Sequence, residues 1–342
     1  MRARGINYDT GFINRGVSSR EPFDTAVVRR ELQIIRDDLH CNAVRITGGD
    51  PGRLEIAASI AAEAGLEVWF SPFTCDLTFE QMLDLLADCA DRAERLRRQG
   101  ASVVLVTGAE LSLLNHGFLP GAHIGERIAL LSDPARLRAA IGEARARVGE
   151  FLGRAVAVVR ARFGGPITYA AIPFEGVSWE LFDIVGLDIY RSAEVAGQFA
   201  AAIRAIVAQG KPVAITEFGC ATYSGAADKG ARGGEIVVWD EQTVAPLGLN
   251  GDYRRDEAEQ ARCVREHLDI FQAEGVDSAF VCTFVLTQLP HRADPRADLD
   301  MGSYGIVKVY EDRFGATYPD MRWEPKAAFA ALASCYRALA AG

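Results

Sequence analysis

Short runs rich in β-branched and aromatic residues recur along this chain, most of them separated by amphipathic stretches. That alternation is what most limits the folds open to it. The runs are Gly5–Tyr8, Ala43–Ile46, Glu67–Phe70, Ser102–Thr107, Ile167–Ala171, Ile184–Leu187, Val213–Thr216 and Ala279–Thr283. Between them, Asp50-Pro51 offers an N-cap and a first-turn proline, and Gly65 and Gly100 stand where helices end. Asp133 to Arg162, Val195 to Gln209, Asp256 to Glu274 and Lys326 to Ala341 read as further helices. Between the fifth and sixth runs the crossover has room for little more than a turn around Trp179–Phe182.

Eight strands with seven or eight helices predict a single (β/α)8 barrel domain spanning residues 1–342. An open doubly wound sheet is the structural rival. Against it, the first strand is followed by Asp9-Thr10-Gly11-Phe12-Ile13-Asn14-Arg15-Gly16, which lacks the Gly-x-Gly-x-x-Gly turn of a dinucleotide fold. At 342 residues the chain is within reach of one elaborated barrel.

Composition narrows the partners. A formal charge of -9 opposes the counterion release that drives binding to nucleic acid or to an anionic membrane. No apolar run reaches the roughly 18 residues needed to span a bilayer, and the first residues carry no apolar signal core, so cytoplasmic residence is expected. The 7 cysteines are odd in number and never spaced as Cys-x-x-Cys, which fits reduced structural thiols. Nothing in the sequence specifies an oligomeric state.

In a barrel of this class, residues at the C-terminal ends of the strands build the site. Those residues are Asn7, Tyr8 and Asp9; Arg45; Ser71 and Phe73; Glu110; Glu175; Asp188 and Tyr190; Glu217; and Phe284. Two glutamates stand out: Glu110 follows the fourth run and Glu217 ends the seventh, on opposite sides of the expected ring. Paired carboxyls suit glycosidic bond cleavage, one protonated to serve the leaving oxygen and one ionised to meet an oxocarbenium-like carbon.

Four segments carry a resemblance to the clan-A glycoside hydrolases: Asn42-Ala43-Val44-Arg45-Ile46, Gly108-Ala109-Glu110-Leu111-Ser112, Asp188-Ile189-Tyr190, and Lys211 through Gly219. The resemblance covers most of the chain. It implies a (β/α)8 enzyme with Glu110 as acid/base, Glu217 as nucleophile, Arg45 donating to the Glu217 carboxylate and Tyr190 as a second donor. A retaining β-glycoside hydrolase acting on a saccharide or glycoconjugate, without cofactor, follows as the expectation. The chain departs from the pattern at Ala109, where many clan members have Asn, and at strand eight, where Phe284 stands in place of a Trp platform. Trp179, Trp239, Phe73 and Tyr223 are the alternative platforms, Asn7 and Tyr8 either line a subsite or pack the barrel floor, and His116 lies close enough to contact substrate.

Other chemistries lack their residues. The 5 histidines show no His-x-His or His-Glu-x-x-His spacing, so no metal is expected. There is no Gly-x-Ser-x-Gly elbow, and Lys211, Lys229, Lys308 and Lys326 all fall away from strand ends, which disfavours a Schiff base. Ser224–Glu235 is glycine-rich without being a phosphate loop, and reads as a mobile lid. The departures at Ala109 and Phe284 leave one rival function, a glycosidase-like barrel without turnover serving as a carbohydrate-binding or interaction module. Chains of that look are also labelled abortive infection proteins, a phenotype that no residue here explains.

Overall fold

The computed structural model describes residues 1–341. Eight parallel strands form one sheet: β1 (Ala3–Asp9), β2 (Ala43–Gly48), β3 (Glu67–Pro72), β4 (Val103–Ala109), β5 (Ile167–Ala170), β6 (Val185–Asp188), β7 (Val213–Phe218) and β8 (Ser278–Val281). Strand β1 pairs with both β2 and β8, so the sheet is wrapped on itself. The ring closes between β5 and β6 through a parallel bridge from Ala171 to Leu187, with Asp188 N–H donating to the Ala171 carbonyl at 2.9 Å. This is the expected (β/α)8 barrel.

Alternation along each strand sorts the side chains into two cores. Outward-facing residues such as Ile6, Val44, Ile46, Val68 and Phe70 pack against the helices. Inward, Trp69 and Phe280 meet with ring centroids 4.6 Å apart, among Ala3, Ala43, Ala170 and Ala214. Two large rings fit because their neighbours are small. Gly5 completes the arrangement, since a methyl there would lie 2.3 Å from the Phe280 ring.

The helices around the barrel are α1 (Thr25–Asp37), α2 (Pro51–Glu63), α3 (Phe79–Arg98), α4 (Pro134–Arg160), α5 (Phe199–Val207), α6 (Glu257–Ala273) and α7 (Ala327–Ala341), with two short helical turns, Leu111–Leu114 and Ile124–Ala129, between β4 and α4. Their ends follow local chemistry. Asp50 caps α2 by accepting from the Gly52 and Arg53 amides, and Thr78 with Gln81 forms a capping box on α3. Helix α5 begins at Phe199 rather than Val195. Between β5 and β6 there are only single 3₁₀ turns, Pro173–Glu175 and Trp179–Leu181, as the short spacing required.

The mouth is elaborated unevenly. A short hairpin (Ile13–Asn14 with Val17–Ser18) follows β1, and a 3₁₀ segment (Ala227–Ile236) plus a second hairpin (Val237–Trp239 with Pro246–Leu249) follows β7. The segment expected to be a mobile lid is tethered instead: Glu259 accepts from the Gly225 and Ala227 amides, and the Tyr304 hydroxyl donates to the Gly230 carbonyl at 2.6 Å. All seven cysteines are free. No described helix is long and apolar enough to cross a membrane.

Candidate active site

Glu217 reaches the cavity through a break in strand register. Leu187 pairs with Ile215 and Asp188 with Glu217, so Thr216 is an extra residue, and a bulge of this kind re-aims the side chain that follows it. Three inward side chains then fix the end of β7. Arg45, wholly buried on β2, donates from Nη1 to Glu217 Oε1 at 3.0 Å and to the Thr216 carbonyl at 3.1 Å, while its Nε donates to Ser71. Asn7 donates to the same Thr216 carbonyl at 3.1 Å, and the Tyr190 hydroxyl donates to Glu217 Oε2 at 2.9 Å. Both oxygens of Glu217 thus hold a donor.

Glu110 is placed by backbone alone. On β4, Thr107 and Gly108 together oppose Tyr169, a second bulge, and Gly108 adopts φ 137°. Glu110 itself lies in the left-handed region at φ 43°, a conformation that costs a non-glycine residue energy and aims its side chain off the strand. Its amide donates to Ala170 and its carbonyl accepts from Leu113 and Leu114. Among the described residues no donor reaches its carboxyl. Burial pushes that carboxyl well above the usual range, and the neighbouring carboxyls of Asp188, Glu217 and Glu175, where ionised, push it further, with Arg45 opposing.

Beneath the Glu110 turn, Glu175 accepts from the Ser112 amide at 2.9 Å and the Tyr169 hydroxyl at 2.8 Å, and that hydroxyl accepts from the Leu111 amide. Glu175 is a buried brace rather than a solvated loop residue. Asp188 closes the group: one oxygen each from Glu110, Asp188 and Glu217 lies within 4.8 Å of the others. Geometrically these three could hold a metal ion, but Arg45 sits 3.0 Å from Glu217 and 3.5 Å from Asp188 and competes with a cation for the same oxygens.

The remaining expected residues separate. Tyr8 turns outward, neither lining the cavity nor filling the barrel floor; its hydroxyl donates to buried Glu31 beside Arg20, one residue out of phase with Asn7. Phe284 is likewise in the outer core, against Tyr8 and Trp323, because β8 ends at Val281 rather than Thr283. Trp179 packs on Phe182, and Lys211 from the opposite end of the barrel donates to its carbonyl, so it is remote from the carboxyls. His116 lies 3.4 Å from Arg127, in a clamp that also ties Leu113, Leu114, Gly121 and Asp76. Phe73 stays at the mouth, packed on Phe12 and over the inner core.

Two residues of the site escaped the sequence reading. Cys282, the first residue beyond β8, lies beside Glu217 and Tyr190; burial and then the Glu217 charge hold its thiol well above the usual range, so it is neutral. Placing the strand end two residues earlier would have found it. Tyr304 meets Tyr190 edge-on at 5.6 Å from a distant loop, with no local signal.

No family model matches the sequence, and no curated protein matches it. Solved structures match its fold. A complex of a GH113 β-1,4-mannanase covers 98% of this chain and 99% of its own at TM-score 0.64 and 15% identity. The chain has the fold of the clan-A glycoside hydrolases. An apo β-glucosidase covers 92% of this chain and 88% of its own (TM-score 0.54, 14% identity). Thermotoga maritima Cel5A in complex with cellobiose covers 88% and 96% (TM-score 0.50, 13% identity).

Proposed function

We propose that this protein is a retaining β-glycoside hydrolase of carbohydrate or glycoconjugate substrates, with Glu217 as nucleophile and Glu110 as acid/base. One observation carries the reading: an oxygen of Glu110 and an oxygen of Glu217 lie within 4.8 Å of each other at the C-terminal mouth of the barrel. Double displacement uses carboxyls about 5–5.5 Å apart, whereas inversion needs roughly 6.5–9.5 Å to admit a water. The two environments divide the roles. Glu217, with donors on both oxygens, attacks the anomeric carbon as an anion and forms the glycosyl ester. Glu110, protonated by its burial, gives its proton to the departing oxygen and then, as carboxylate, takes one from the water that hydrolyses the ester.

The fold neighbours, a mannanase, a β-glucosidase and a cellulase bound to cellobiose, support a carbohydrate substrate. Arg45, Tyr190 and Asn7 serve as positioning residues for Glu217, and Phe73 as a wall of the mouth. A barrel that binds sugar without turnover is the second reading, favoured by Ala109 beside Glu110 and by a thiol, Cys282, rather than an aromatic ring as the first residue beyond β8.

The test is a panel of aryl β-glycosides and β-linked oligosaccharides, with the product anomer followed by NMR. Retained β-product is expected, abolished in Glu217→Ala. Inverted product, or hydrolysis unchanged in Glu110→Ala and Glu217→Ala, defeats the proposal; sugar binding by calorimetry without hydrolysis over days selects the second reading.

A further inference from the structure

Asp188 is the last residue of β6, and its side chain has 0% exposure. Neither of its oxygens has a hydrogen-bond partner among the described residues. Its nearest charge is Arg45 Nη1 at 3.5 Å, and that nitrogen already donates to Glu217. The groups facing it are Arg45 from β2, Thr216 and Glu217 from β7, Glu110 beyond β4, Glu175 beyond β5 and Cys282 beyond β8. One guanidinium stands against four carboxyls, of which Asp188 and Glu175 are fully buried. A buried carboxylate without a donor is costly, and such groups hold a proton instead.

We propose that Asp188 is a third, proton-bearing member of the carboxyl group at the reaction centre, setting the net charge beneath the substrate and thereby the pH range over which Glu110 keeps its acidic proton. It is a positioning residue: fully enclosed beneath Glu217, whose own side chain is 11% exposed, it never touches sugar. Burial, and next the Glu217 charge, push its carboxyl up to about 8, against Arg45 and the adjacent Thr216 hydroxyl, whose geometry falls short of a complete hydrogen bond. As pH rises through that value Asp188 becomes an anion, and the added negative charge makes Glu110 hold its proton more tightly. Two unit charges within 5 Å at an effective dielectric near 20 displace a titration by about two pH units. Part of this proposal rests on the glycosidase reading, because only an acidic Glu110 has an alkaline limb to displace.

Infrared titration of the free protein needs no substrate. The wild type is expected to lose one protonated-carboxyl carbonyl band near pH 8, and Asp188→Asn to lack that band. In Glu217→Gln, which removes the neighbouring charge, the same band should titrate at lower pH. Identical titrations in the wild type and Asp188→Asn overturn the proposal; should Asp188→Asn not fold, an unmoved band in Glu217→Gln does so. In kinetics, the alkaline limb of kcat/KM for Asp188→Asn should fall about one to two units below that of the wild type. An unmoved limb overturns the control of Glu110. A wild type with no hydrolytic activity refutes the glycosidase reading instead and leaves the infrared result standing.

Discussion

The ends of β4 and β7 present the same residue type in opposite settings. Glu217 is gripped by side chains, with Arg45 and Tyr190 on its two oxygens and Asn7 on the carbonyl before it. Glu110 is gripped by none; two glycine-assisted backbone features, the Thr107–Gly108 bulge and its own left-handed φ, hold it in place. A carboxyl fixed by donors is kept as an anion, while one fixed through its backbone can remain undersolvated and hold a proton. The division of labour proposed for the two glutamates thus rests on how each is attached to the barrel.

The sharpest way to break this comparison is to remove each carboxyl in turn. Glu217→Ala should abolish turnover on every substrate. Glu110→Ala should lose about 10²–10⁴-fold on poor leaving groups and far less on activated aryl glycosides, which need no protonated acid. Equal losses across leaving groups, read from kcat, would erase the assigned asymmetry.

Replacing the brace comes next. Arg45→Gln removes the one cation that, among the described residues, pairs with the Glu217 carboxyl, and should cost about 3–5 kcal/mol in chemical denaturation. Tyr190→Phe removes one hydrogen bond to that carboxylate, about 1.5–3 kcal/mol. If the two variants are equally stable, Arg45 is not the principal support of β7. The smallest effect is expected at Gly108→Ala, where φ 137° is unfavourable for any side chain, at about 1–3 kcal/mol. It should lower activity through Glu110 while leaving Glu217 able to react with a fluorosugar trap.

Stability should also follow pH in a defined direction. With Asp188 shifted up from 3.8 to about 8, the folded state holds a proton there that the unfolded chain releases. That contribution is complete at low pH and is lost as pH rises toward 8. Thermal unfolding of Asp188→Asn should therefore show a flatter profile between pH 4 and 8 than the wild type.

Much of the barrel was legible because each strand is a short apolar run with a turn signal after it, and the missing helix between β5 and β6 was visible in spacing alone. Glu110, Glu217, Arg45 and Tyr190 stood out as polar residues closing or punctuating such runs. What could not be read was phase. Asn7 and Tyr8 are adjacent, and only the observed register decides that the first faces in and the second out. Phe284 was misplaced by a two-residue error in where β8 ends. Tyr304 joins Tyr190 from more than a hundred positions away, and the glycines of Ala227–Ile236 looked mobile because Glu259, which pins that region, is remote in sequence.

Trp69 and Phe280 have a consequence for traffic. These tilted, contacting rings and the alanines around them stopper the tube below the carboxyls. Nothing can drain through the far end of the cylinder. Any ligand of the carboxyls must come and go by one doorway, so the turns crowding that rim govern arrival and departure alike.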